Sequence, residues 1–259
     1  MSKIAFVFPG QGAQYVGMGK DFYEAYPECR EVFGIASEAS GLDIAKLCFE
    51  ESEQINQTEY TQICMLAAEM AVLRAVEKRG IASSVNAGLS LGEYGALVAS
   101  KVMSLFDACR VVRQRGILMQ DAVPVGGAMA AVLAMDAAKI EEICEKTDGI
   151  VSIANYNCPG QIVITGQEAA VEAACEALKA AGAKRTIRLN VSGPFHSPML
   201  AEAGRKLSAV REQLKDHPAE VYLVENCGME KEHICRGVEN MPETAGYYTL
   251  VMVKDEEGE

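Results

Sequence analysis

The sequence predicts an α/β layer protein: a large domain built on a parallel sheet, with a small subdomain set into it. Three observations point that way. Short apolar segments bounded by Gly, Pro and Asn alternate with stretches whose apolar residues recur at helical spacing. The 259 residues, 49% of them hydrophobic, suffice for one large core plus a smaller insert. Between residues 126 and 190 the rhythm changes to β-α-β-β-α-β.

Taken in order, Ile4 to Phe8 is a short apolar strand stopped by Pro9-Gly10. Ile63, Leu66, Ala67, Met70 and Leu73 share one helix face, and Gly80 stops that helix. Ser84 to Ala87 is a strand. Ser104 with Asp107 resembles a capping box, opening a helix whose face is Leu105, Ala108, Cys109, Val112, Gly116 and Met119 and which ends near Asp121. Ala128 to Leu133 is a strand, Asp136 to Lys146 a helix, and Ile150 to Ala154 and Gln161 to Thr165 are strands separated by a turn from Asn155 to Gly160. Glu168 to Ala181 is a helix ending at Gly182, and Lys184 to Leu189 is the last strand of this set. That order is the ferredoxin-like one. The expected domains are therefore residues 1–125 with 191–215, an inserted subdomain over 126–190, and an atypical tail over 216–259.

Composition narrows the function. A formal net charge of −12 disfavours nucleic acid as a partner. Part of the excess is the run Asp255 to Glu259, a solvated tail. No apolar run approaches the roughly 20 residues of a membrane span, and Met1-Ser2-Lys3-Ile4 leads straight into a strand rather than a signal-peptide core. Nine cysteines are scattered with no Cys-x-x-Cys pair, which predicts reduced, mostly buried thiols, a cytoplasmic location and no metal.

The chemistry centres on Gly88-Leu89-Ser90-Leu91-Gly92. Glycines two residues either side of a serine fit a sharp, hydrolase-like strand-to-helix turn that exposes the hydroxyl. A helix starting at Glu93 points its N-terminus at Ser90. A serine nucleophile needs a base. Of His196, His217 and His233, the first is favoured, because Gly193, Pro194 and Pro198 fix its loop. The Leu91 N–H is a natural oxyanion donor, and a second could come from Pro9-Gly10-Gln11-Gly12. That loop is not a dinucleotide fingerprint, since Tyr15 stands where the third glycine belongs. Arg115, beside the apolar stripe of its helix, is either a carboxylate fork, a surface arginine, or an arginine paired with Glu93 or Asp121.

Together these residues resemble the malonyl-CoA:acyl carrier protein transacylase family of fatty acid synthesis. The resemblance runs from residue 1 to about 210, through Phe6 to Gln14, Gly88 to Tyr94, Arg113-Gln114-Arg115-Gly116 with Met119-Gln120, Asn155 to Gln161 and Pro194 to Pro198. It implies ping-pong acyl transfer, with Ser90 as nucleophile, His196 as base and the N–H groups of Gln11 and Leu91 as the oxyanion hole. Arg115, Asn157 and Phe195 would bind the substrate, Arg115 through the malonyl carboxylate and Phe195 as a mark of malonyl over methylmalonyl. The implied partners are malonyl-CoA and acyl carrier protein, with no cofactor beyond the thioester substrate. Lys179, Lys184, Arg185 and Arg188 are either a docking patch for the acidic carrier or a solvated face.

Two departures stand out. Leu89 occupies a position where many members carry histidine. Members also continue well past the His196 loop, whereas residues 220–254 resemble the C-terminal end of precorrin-2 C20-methyltransferases, which suggests a chimera. S-adenosylmethionine is not expected. In the family the carbonyl that orients the histidine lies in the portion absent here. The alternatives are a serine hydrolase or thioesterase using the same Ser90 and His196, or a chain that binds CoA or carrier protein without turnover.

Overall fold

Ala5–Phe8 forms β1 and Val85–Gly88 forms β2, and the two run parallel in register from Ala5 beside Val85 to Phe8 beside Gly88. The computed structural model describes residues 3–189, 191, 193–207, 220–225, 233–236, 240 and 249–254. His217 and the acidic run 255–259 lie outside the described residues. Two compact units divide the chain, one of Met1–Ile117 with Leu207–Glu259 and the other of Leu118–Lys206.

Between β1 and β2 of the first unit come α1 (Lys20–Ala25), α2 (Pro27–Ser40), α3 (Ile44–Phe49) and α4 (Thr58–Glu77). The helical spacing noted from Ile63 to Leu73 belongs to α4, most of whose residues between Thr58 and Ala75 are buried in the core. Phe33, Ile44, Ile63, Leu66, Met70, Leu91 and Val112 are its largest fully buried neighbours and members. Each such side chain contributes roughly 1.5–3 kcal/mol by leaving water. Gly80 follows α4 in the left-handed region (φ 75°), as a helix-stopping glycine does. After β2 come α5 (Gly92–Ala99) and α6 (Leu105–Ala122). Ser104 caps α6 by accepting from the Asp107 N–H (3.0 Å). The return bond of a capping box is replaced: the Ser104 hydroxyl itself donates to Asp107 Oδ2 (2.7 Å).

Among the described residues, the expected parallel pairing holds only for β1 and β2. The tail supplies β7 (Glu220–Glu225), β8 (His233–Arg236) and β9 (Thr249–Lys254), giving a mixed sheet of order β1-β2-β9-β7-β8. β9 lies antiparallel against β2, from Asn86 beside Val253 to Gly88 beside Val251. β7 pairs antiparallel with both β9 and β8. The tail is thus part of the sheet that carries Gly88 to the Ser90 turn, and Cys235 is buried in the core of the unit.

In the second unit the elements are β3 (Gly127–Leu133), α7 (Ala137–Lys146), β4 (Val151–Cys158), β5 (Gln161–Gln167), α8 (Glu168–Ala180), β6 (Arg185–Arg188) and α9 (Ala201–Lys206). The sheet order is β4-β5-β3-β6, antiparallel throughout. One stretch departs from the sequence expectation. Asn155 to Cys158, whose composition suggests a turn, continues β4 through two register shifts, at Ile153/Asn155 and Tyr156/Cys158. The turn itself is only Pro159-Gly160, with Gly160 at φ 81°. Pairing against β5 outweighs the turn preference of asparagine here.

Candidate active site

Ser90 stands at the end of β2 with φ 55°, a left-handed conformation that is strained for a serine. Two glycines permit it. A Cβ on Gly88 would overlap the Gly92 carbonyl, and one on Gly92 would overlap the Phe8 carbonyl and come within 2.7 Å of the Pro9 oxygen. The helix start is therefore pressed against the ends of β1 and β2, with room only for backbone. The Leu89 N–H donates to the Phe8 carbonyl (3.1 Å), the Gly92 N–H to Leu89 (3.0 Å) and the Glu93 N–H to Ser90 (3.3 Å). The Leu91 N–H, at the head of α5, takes no part in these bonds. Leu91 itself is fully buried and anchors the turn in the core. Gly92→Ala is expected to destabilise the first unit by about 3 kcal/mol or more, measurable as a drop in the denaturant midpoint. A midpoint like that of the unmodified protein would show that the turn is not so confined.

A hydrogen-bonded chain runs through the same unit. Arg115 Nη2 donates to Ser90 Oγ (3.0 Å) and Nη1 to Gln62 Oε1 (2.6 Å). Gln62 Nε2 donates to Gln11 Oε1 (3.4 Å), and Gln11 Nε2 to Thr58 Oγ1 (3.2 Å). Arg115 is held in place by close helix packing: Arg113 Nη1 donates to the Glu59 carbonyl (2.6 Å), its Nη2 pairs with the Glu59 carboxylate (3.1 Å), and a Cβ on Gly116 would touch Glu59 and Thr58 backbone at 3.0 Å. The Arg115 guanidinium carbon also lies 5.8 Å from the centre of the Tyr94 ring. Burial pushes the Glu93 carboxyl up to about 7, with the Arg115 charge acting against the shift. Arg115 is half-buried and bonded to Ser90 and Gln62, not a free surface arginine.

Ser90, Gln11, Leu91 and Arg115 are thus brought together within one unit. Sequence reasoning missed Gln62 and Thr58. The only signal was the uncharged polar residues at the start of a helix that also carries Glu59, Thr61, Glu69, Arg74 and Glu77; in the structure Gln62 and Thr58 are buried, at 1% and 0% exposure.

His196 belongs to the second unit, again with a left-handed backbone (φ 57°). Its neighbours fix it. Pro194 packs so closely on β3 that a Cβ at Gly127 would overlap its ring. Phe195 is buried among Met119, Met129, Ala131, Ala154 and Val163. Ser197 is fully buried and its Oγ accepts from the Met199 N–H (3.2 Å). Asn157, near the end of β4, is exposed and donates to Gln161 Oε1 (3.2 Å). Of the four basic residues offered as a patch, Lys179 pairs with Glu176 (2.8 Å) and Arg188 with Glu168 (2.6 Å) and Glu172 (3.2 Å), which leaves Lys184 and Arg185 as exposed charges without an ion pair among the described residues. Among the described residues no cluster of His, Cys, Asp or Glu could hold a metal, and no helix is long and apolar enough to cross a membrane.

Residues 5–232 match the acyl transferase domain family, past the position near 210 where the resemblance was expected to end. The chain is 45% identical over 231 residues to the malonyl CoA-acyl carrier protein transacylase of Bacillus subtilis, covering 87% of this chain and 73% of that protein. It is 44% identical over 237 residues to the Escherichia coli transacylase of the same name, covering 90% and 77%. Among solved structures, it is similar to the transacylase of Clostridium perfringens (TM-score 0.75, 48% identity, 80% of this chain and 67% of that one). It is also similar to a malonyl-transacylase solved in complex with a type II PKS acyl-carrier protein (TM-score 0.78, 44% identity, 82% and 70%). A strained serine gripped by an arginine, on a chain matched this widely, places the protein in the acyl transferase domain family, among the malonyl CoA-acyl carrier protein transacylases.

Proposed function

We propose that the chain transfers a malonyl group from malonyl-CoA to the phosphopantetheine thiol of acyl carrier protein in two half-reactions. The observation that carries this reading is the 3.0 Å bond from Arg115 Nη2 to Ser90 Oγ. A cation able to fork onto a carboxylate stands beside a strained serine, which suits a substrate bearing both a thioester and a free carboxylate. A general esterase has no use for that cation.

In the first half-reaction His196 takes the Ser90 proton, Oγ bonds to the thioester carbon, and the C–S bond breaks, with CoA leaving as a thiol protonated from His196. The N–H groups of Gln11 and Leu91 hold the oxyanion on the way. In the second, His196 takes the proton of the carrier's pantetheine thiol, the sulfur attacks the malonyl ester, and the proton returns to Ser90. Asn157 and Phe195 are assigned to substrate binding, and no cofactor takes part. The finer architecture belongs to the same proposal: a hydrolase-like large domain, supported by the Ser90 turn, and an inserted ferredoxin-like subdomain, supported by the order β4-β5-β3-β6.

The test is mass spectrometry after incubation with malonyl-CoA. A malonyl adduct is expected on the peptide containing Ser90, absent in Ser90→Ala, and moving to carrier protein when that is added. A folded sample that never acquires the adduct overturns the proposal.

A further inference from the structure

We propose that Gln62 is a positioning residue that locks Arg115, and with it the Gln11 loop, into one arrangement; this rests on the malonyl transfer proposed above. The argument begins from donors and acceptors. A guanidinium can only donate. Its 2.6 Å bond to Gln62 therefore fixes Oε1 of that side chain as the acceptor, and Nε2 must point the other way. Nε2 faces Gln11 Oε1 at 3.4 Å, so Gln11 in turn presents its own Nε2 to Thr58 Oγ1 at 3.2 Å. One charged group thus sets the orientation of two amides, and a reversal of either would place like atoms face to face.

The anchor of this chain is rigid. Gln62 is 1% exposed on α4, between Thr58 and Ile63, both fully buried. Thr61 ties the first turn down through its single hydroxyl hydrogen, shared between the carbonyls of Ile55 (2.7 Å) and Gln57 (2.8 Å). At the other end, Gln11 lies between Gly10, where a Cβ would come within 2.9 Å of the Leu89 oxygen, and Gly12, held at φ 116°. The loop is therefore close against the residue preceding the nucleophile. Gln62 joins the group that recognises the carboxylate to the loop that holds the oxyanion. With Nη1 occupied by Gln62, the guanidinium is turned so that Nη2 faces Ser90, and binding needs no search among rotamers.

The experiment measures acylation of Ser90 by malonyl-CoA and by acetyl-CoA, in the whole chain and in Gln62→Leu and Gln62→Glu. Leucine removes the acceptor at nearly unchanged volume. Glutamate keeps the length but offers the guanidinium a competing carboxylate. In both, the ratio of malonyl to acetyl kcat/KM is expected to fall by roughly 10–100-fold, chiefly through a higher malonyl KM. A third variant, Gln11→Ala, retains the loop N–H; combined with Gln62→Leu it should cost less than the product of the two single effects. A purely structural role would lower both substrates alike and leave the ratio unchanged, and that result overturns the inference. If Gln62→Leu does not fold, the ratio in Gln62→Glu decides in the same way. The two proposals fail separately: the function fails when the unmodified protein takes no malonyl group, the positioning role when it does and the variants keep its selectivity.

Discussion

Arg115→Ala is expected to lower kcat/KM for malonyl transfer by about 10²–10³-fold while acetyl transfer changes by less than about tenfold. The size follows from what the side chain does. In the malonyl transfer proposed above, a carboxylate entering the site would exchange its water for a guanidinium already aimed at Ser90 by the bond to Gln62. Removing the guanidinium leaves that carboxylate desolvated and unpaired, which is the expensive outcome. An acetyl group brings no such charge. The variant should still fold. Burial raises the Glu93 carboxyl to about 7 even with the Arg115 charge acting against the shift, so without Arg115 that acid stays neutral near pH 7 and no orphan anion remains. Arg115→Lys keeps the charge but not the fork. An ammonium facing Ser90 cannot also hold Gln62 in the same plane, and about tenfold of the loss should persist. Steady-state kinetics with both thioesters check the prediction. Equal losses on the two substrates would mean that Arg115 only supports the Ser90 turn.

Much of this site was legible in the sequence because its logic is local. Gly88 and Gly92 flank Ser90 by two residues, and the crowding that demands glycine arises within the same turn and from the strand beside it. The cap at Ser104 and the stop at Gly80 are likewise fixed by neighbours in the chain. What stayed hidden depends on contacts between distant segments. Gln62 lies 53 positions from Arg115 and 51 from Gln11, and nothing around it marks a buried amide as part of a site. Asn155 to Cys158 looked like a turn because asparagine favours turns, yet β5 supplies the pairing that keeps it extended. β-α-β alternation along the sequence cannot reveal that β9 runs back along β2 as an antiparallel neighbour.

Stability is expected to fall as pH rises from about 5 to 8.5, by roughly 4–6 kcal/mol, and Glu69 is expected to account for the larger part of it. Both Glu69 oxygens are buried without a hydrogen-bond partner among the described residues, and a Cβ on Gly95 of α5 would sit 3.2 Å from one of them. The groove that the residue borders is otherwise lined by apolar or uncharged groups, among them Phe6, Phe8, Met65 and Leu73. Desolvation with nothing to offset it pushes the carboxyl up to about 8 from 4.5. The folded state then holds a proton that the unfolded chain gives up above about pH 4.5. Stability is full below that pH, declines through the interval, and levels off once the folded acid has also ionised. Glu93, raised to about 7 by burial, adds in the same direction over a narrower range. Glu142 cannot mask the trend, because its two lysine partners hold its carboxyl down near 2, and a lowered acid acts only under more acidic conditions. Buried Cys109 and Cys144, both pushed up to about 12, titrate above it. Glu69→Gln keeps the shape, cannot ionise, and should flatten most of the slope. Glu69→Leu removes the unpaired polar group as well, so it should raise the denaturant midpoint at pH 8 above that of the unmodified protein. Denaturant melts at three pH values separate the cases. A Gln variant that keeps the full slope would place the titrating group elsewhere.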